Sequence, residues 1–213
     1  MFATRAISSG TRILRDKSVM HLKGSTLRLD QGEIMVELKK MSPSEQQKFL
    51  SLHEGLRSFP TKEMRIWKAN AFNTGDDSYV YLDIGRFNHS CLPNAETEEN
   101  HEGGTADVYA IRDIAKGEEV FICYNSIYYG ATRKQRQNAL KAYYGFECAC
   151  AACCVGERAA QLSDARRKII HAMTHLRKGM NPPDMSLLDR LSLDDAEDPR
   201  VRAGTWEDSH VWL

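Results

Sequence analysis

The sequence predicts an α+β fold, mainly β, with a helical insert and a helical C-terminus. Three observations carry this expectation. Short apolar or alternating runs, among them Tyr79 to Ile84 and Asp107 to Ile114, are bounded by glycine-bearing turns, as short strands are. Two stretches, 42–57 and 163–176, switch to helical spacing. Finally, Ala3-x-Arg5-x-Ile7-x-x-Gly10-x-x-Ile13 recurs at identical spacing as Ala110-x-Arg112-x-Ile114-x-x-Gly117-x-x-Val120. A strand–turn–strand unit used twice accounts for it, with glycine where positive φ is cheap.

Residues 1–30 read as short strands with turns at Ser9-Gly10 and Lys23-Gly24. Met1 to Arg15, with Arg5, Arg12, Arg15 and no acid, has the composition of a transit peptide. The internal repeat assigns it instead to the folded domain. A helical insert is expected over about 31–64. Ser42 can cap a helix, Pro43 suits its first turn, and Glu45 completes a capping box. Phe49, Leu50, Leu52 and Leu56 supply its apolar face. Arg65 to Phe72 alternates apolar and polar residues, and 73–77 is a turn cluster. Residues 96–105 are acidic and glycine-bearing, and are expected to form a solvated hairpin loop. Asp107–Ile114 and Glu119–Tyr124 are strands around Lys116-Gly117, with Val120, Ile122 and Tyr124 on one face. Residues 132–144 return to helix. Ser163 is expected to cap a helix carrying Ile169, Ile170, Met173 and Leu176, stopped by Gly179 and Pro182-Pro183. The remainder, 184–213, holds at most one short helix and a tail.

The 213 residues suffice for one real core or a core with a small appendage. Charge balances at 29 basic and 29 acidic residues, so neither a nucleic-acid surface nor an electrostatic membrane patch is expected. No apolar run approaches a membrane helix in length. Of six cysteines, four lie between 148 and 154. Neighbours that close pair poorly as disulfides, which favours metal binding in a reducing compartment. Cys148-x-Cys150-x-x-Cys153 offers three thiolates, and zinc takes four ligands. Cys91, in a polar turn, is the natural fourth, with Cys154 as its local rival. Cys123 reads as a small buried hydrophobe.

The densest stretch is Arg86-Phe87-Asn88-His89-Ser90-Cys91-x-Pro93-Asn94. With Gly117-Glu118-Glu119-x-x-x-x-Tyr124 and then Cys-x-Cys-x-x-Cys, it resembles a SET-domain protein lysine methyltransferase with a post-SET zinc motif. The helical insert, Asn70-Ala71-Phe72 and the helical segment after the cysteines make it most similar to the SMYD-like branch. The resemblance covers roughly residues 2–155. It implies a SET domain over 1–145, a β-clip with a pseudoknot. A post-SET knuckle over 146–156 and a C-terminal helical segment and tail over 157–213 follow.

It also implies S-adenosylmethionine (AdoMet) as methyl donor, a structural zinc ion, and a protein lysine, of a histone or another protein, as acceptor. Asn88 and His89 would hold AdoMet, Asn70 would add a polar contact, and Phe146 would pack on the adenine. Tyr124 would be the catalytic tyrosine, and Tyr144 would help wall the lysine channel. Cys91, Cys148, Cys150 and Cys153 would bind the zinc. Methyl transfer is an in-line displacement, so alignment is most of the task, and a dry aromatic channel lowers an ammonium's pKa. Taken singly, Tyr124 could be a strand aromatic, His89 a structural histidine and Asn70 a strand-end cap. The order of three separated motifs outweighs those readings.

The family's Gly-x-Gly turn, expected before Phe2-Ala3-Thr4-Arg5, is not present, and weaker AdoMet binding is expected. The cysteines of a MYND finger are also missing. Two other functions compete: a zinc-stapled, N-terminally truncated interaction module of the same fold with weakened or lost turnover, and a zinc hydrolase. Four thiolates leave no zinc position for water, which disfavours the hydrolase. A monomer acting in nucleus or cytoplasm, or both, is expected.

Overall fold

The computed structural model describes residues 1–23, 31–55, 59–74, 77–100 and 104–181. The expected turn at Lys23-Gly24, Leu56 and everything past 181 therefore lie partly or wholly outside the described residues. The architecture is α+β, as expected: several small sheets and, among the described residues, five α-helices. The chain divides into two compact units. The first contains Met1–Asn88, Asn94–Ile122 and Tyr143–Gly145; the second contains His89–Pro93, Cys123–Ala142 and Phe146–Leu213.

In the first unit, β1 (Arg12–Lys17), β6 (Ala95–Asn100) and β7 (Thr105–Ala110) form an antiparallel sheet in the order β1-β7-β6. Arg15 stands directly opposite Asp107, and its guanidinium grips that carboxylate at 2.6 and 2.8 Å. A second antiparallel sheet orders β2 (Met20–Lys23), β4 (Asp77–Val80) and β3 (Ala71–Thr74) as β2-β4-β3. The insert packs beside it as α1 (Gln31–Lys40), α2 (Pro43–Leu50) and α3 (Lys62–Asn70). Met20, Leu22, Ile34, Leu38, Phe49, Ile66, Trp67, Val80 and Leu82 meet in one buried cluster. The capping box at Ser42 and Glu45 forms as the sequence implies.

The internal repeat has a structural meaning. Its two copies pair with one another, antiparallel: Ile7 bonds Ile114 through both backbone groups, at 2.9 and 2.8 Å. Ala3 N–H donates to Glu118 O, Gly117 N–H to Ala3 O, and Gly10 N–H to Ala110 O. Gly10 and Gly117 turn the chain at φ 78° and 84°, where an L side chain is strained.

Four expectations need correction. The helix read over 42–57 ends at Leu50. Arg65–Phe72, read as alternation, is mostly α3, because Met64, Ile66, Trp67 and Asn70 fall at helical spacing and Thr61 caps the start. The acidic stretch 96–105 is not a loop alone. Residues up to Asn100 are β6, an edge strand held by backbone bonds, with Glu98 exposed and Glu96 and Glu99 half-buried. Lastly, the C-terminal helix α5 (Glu157–Arg177) starts six residues before Ser163, which is buried inside it. Small residues such as Ala160 and Ala165 form its buried face and give a weak periodic signal.

The second unit carries His89 of the short strand β5 (Asn88–His89), a 3₁₀ turn at Ser126–Tyr129, most of α4 (Arg133–Tyr144) and α5. Thr132 caps α4 in a box with Gln135. Gly179 ends α5 as expected. Met180 N–H donates to His175 O and Gly179 N–H to Leu176 O, the paired bonds of a Schellman motif. The apolar residues read on this helix are not all buried: Ile169, Met173 and Leu176 are exposed.

Candidate active site and cysteine cluster

The 86–95 motif is shared between the units: His89–Pro93 belong to the second, their flanks to the first. The flanks do structural work. Asn94 is 1% exposed. Its amide nitrogen donates to Glu118 Oε1 and to Glu119 O, while its Oδ1 accepts the Phe121 N–H at 2.7 Å. Asn88 donates to Glu119 Oε1 at 2.7 Å. The Gly-Glu-Glu segment is thereby tied to the asparagines of the motif. Arg112, more than any other neighbour, holds the Glu118 carboxyl below its usual range.

In the second unit, the backbone N–H of Tyr124 donates to His89 Nδ1 at 3.1 Å. The proton of the neutral ring therefore sits on Nε2, which lies 3.3 Å from Cys91 Sγ and donates to it. Burial pulls the His89 pKa down to about 4, so the ring is neutral near pH 7. Around it stand Tyr124, Tyr128 and Phe146, with centroids 5.2, 5.7 and 6.3 Å from the imidazole. Tyr124 and Phe146 meet edge to face at 6.5 Å. Since both ring nitrogens of His89 have protein partners, any contact it makes with a ligand comes from its backbone or ring face.

The Sγ atoms of Cys91, Cys148, Cys150 and Cys153 all lie within 4.8 Å of one another. Cys91 is 3.9 Å from Cys148 and 3.7 Å from Cys153. Four sulfurs about 2.3 Å from a central zinc ion would stand about 3.8 Å apart, so the set could hold that ion. Cys154 is exposed and outside the set; Cys123 is also outside it, with its thiol pushed up to about 11 by burial. The thiols contact one another directly. Hydrogen bonds from Cys148, then Cys153 and Cys91, push Cys150 down, while the same bonding pushes Cys91 up.

The backbone folds the knuckle tightly: Cys153 and Cys154 N–H both reach Cys150 O. Helix α4 adds Gln137, which clamps the Cys148 backbone from both sides at 2.7 and 2.8 Å. Two fully buried arginines flank the sulfurs. Arg136 reaches Ala131 O and sits 4.0 Å from Cys153 Sγ. Arg167 donates to Cys91 O at 2.8 Å and to Tyr128 O and Tyr129 O. Buried guanidiniums need opposite charge. Arg136 has the Asp164 carboxylate at 3.5 Å, and four thiolates around a divalent ion would add a net charge of about −2 beside the two arginines.

The sequence named the four cysteines, His89, Tyr124 and Phe146, and the structure places them in one unit. Asn70, Asn88 and Tyr144 lie in the other. Asn70 is buried, and its amide nitrogen donates to His53 O and Ile66 O, so contact with a ligand falls to its oxygen. Sequence reasoning assigned no role to Asn94, Arg136, Gln137 or Arg167. A hint was available for Arg136, which shares the buried face of α4 with Leu140 four residues on.

Known proteins and one family are similar to this chain. The family profile described as SET domain matches residues 1–125. "Histone-lysine N-methyltransferase set5" of Schizosaccharomyces pombe is 31% identical over 170 residues, spanning 79% of this chain and 51% of the relative. "Histone-lysine N-methyltransferase SET5" of Candida albicans is 38% identical over 105 residues, 46% of this chain and 22% of the relative. "N-lysine methyltransferase SMYD2" of Gallus gallus is 35% identical over 81 residues, 38% of this chain and 18% of the relative. The chain thus spans at most about half the length of these curated relatives.

Proposed function

The chain belongs to the SET-domain family, and on that premise we propose that it is a protein-lysine N-methyltransferase. AdoMet, when bound, supplies an electrophilic methyl on a sulfonium centre. The observation that carries the reading is the arrangement of Tyr124, His89 and Phe146. Aromatic faces suit both a cation and a flat purine, and the His89 ring fixes the backbone of the residue that bears the phenol.

In this reading Phe146 packs on the adenine, His89 holds the Tyr124 segment in place, and Tyr124 orients the acceptor amine at the point of transfer. The motif resemblance extends the donor site to Asn88 and Asn70 and the lysine channel to Tyr144. Cys91, Cys148, Cys150 and Cys153 hold a structural zinc ion, with Arg136 and Arg167 as its counter-charge. The acceptor is a lysine of a histone or another protein. Its similarity to histone-lysine N-methyltransferases supports a nuclear site of action. No helix among the described residues is long and apolar enough to cross a membrane.

The test is transfer of labelled methyl from AdoMet to core histones and to a protein extract. Wild type should label a lysine, and Tyr124→Phe should lower the rate on the order of 100-fold. Unchanged labelling by Tyr124→Phe would remove the role given to Tyr124, and no labelling by wild type would favour the interaction module.

A further inference from the structure

Helix α5 carries a second pair of metal-competent side chains. His171 and His175 are four residues apart and so share one helix face. Their Nε2 atoms are 3.1 Å apart, their ring centroids 4.4 Å, and their planes cross at 70°. Two nitrogens at that separation, each about 2.1 Å from an ion, subtend about 95° at it. That is a cis pair of a square-planar or octahedral centre, which Ni(II) and Cu(II) prefer.

The rings are prepared for it in three ways. His175 Nδ1 is 3.1 Å from Asn181 O. A carbonyl oxygen can only accept, so Nδ1 carries the proton and Nε2 presents a lone pair. An imidazole whose far N–H is held by a backbone carbonyl is the usual metal-ligand arrangement. His171, in turn, is seated against Gly130. A β-carbon there would come within 2.6 Å of His171 Cγ and 2.7 Å of its Cβ, so glycine makes room for the ring. The His171 Nε2–H donates to the His175 Nε2, and metal binding releases that proton. Both rings are half-buried, which leaves the remaining coordination positions accessible from solvent.

The geometry points to a two-histidine site at His171 and His175 for a divalent cation of the Ni(II)–Cu(II) class, closing a clip across the last turns of α5. The site is independent of methyl transfer and of the cysteine set. It is tested on the full chain without a histidine tag, first loaded with zinc, by calorimetric titration with Ni(II) while protein-bound zinc is monitored. Wild type should take up one Ni(II) and keep its zinc. H171Q and H175Q should each weaken binding more than about tenfold, while H53Q, at an exposed histidine, should bind as wild type. If wild type takes up Ni(II) only as zinc leaves, or if H171Q and H175Q bind like wild type, the pair is a hydrogen bond and not a site.

Discussion

Asn94 shows how a single side chain can hold a motif together. Its three side-chain bonds reach residues 118, 119 and 121, and nothing of it is open to water. Removing it strands buried partners, and each stranded group costs about 1–3 kcal/mol. Asn94→Ala should therefore lower unfolding free energy by about 3 kcal/mol, read from the denaturant midpoint at constant slope. A loss below about 1 kcal/mol would mean that the partners rebond elsewhere. His89 is legible in the same way. The sequence offered it as a donor-holding group, and its ring proves to join the Tyr124 backbone to Cys91. Sequence can nominate a histidine, but ring partners come only from where two distant segments meet.

Among the elements, the paired repeat is where sequence and structure speak most directly to each other. Identical spacing around Gly10 and Gly117 was visible in the letters; that the copies bond each other was not, because pairing is set by long-range register. Neither glycine has an atom within 4 Å of where a β-carbon would stand. The cost of alanine there is backbone strain alone, about 1–2 kcal/mol at each site. Gly10→Ala and Gly117→Ala should each lower the thermal midpoint by a few degrees, as calorimetry would record. A neutral result at either would show that the turn relaxes to negative φ. The elements misjudged from sequence share one cause. Edge strand β6 is hidden by its glutamates, and the start of α5 by small alanines, since neither needs a large apolar stripe to be stable in place. The cap at Ser42 was legible because capping is local chemistry.

At the scale of the molecule, the cysteine set joins four stretches of the second unit: residues 89–93, the 148–153 knuckle, α4 and α5. Metal held there becomes folding stability. Purified protein should contain about one zinc per chain. Chelation should lower the thermal midpoint and expose the thiols to a colorimetric reagent. Arg167→Met should speed zinc loss, because the Cys91 carbonyl loses its donor and the thiolates part of their counter-charge. Protein that is free of zinc, yet as heat-stable before chelation as after, would refute the staple.

That the second unit draws Cys91 from the middle of the chain gives the protein a schedule as well as a shape. Cys91 leaves the ribosome 57 residues before Cys148, and its Arg167 partner follows 76 residues after it. At about 5–20 residues per second, the first sulfur waits roughly 3–12 s for the last of the others. During that interval it is a lone thiol on a nascent chain, open to oxidation or to the wrong partner. Oxidant would then damage this protein while it is being made, before a finished molecule exists to be protected.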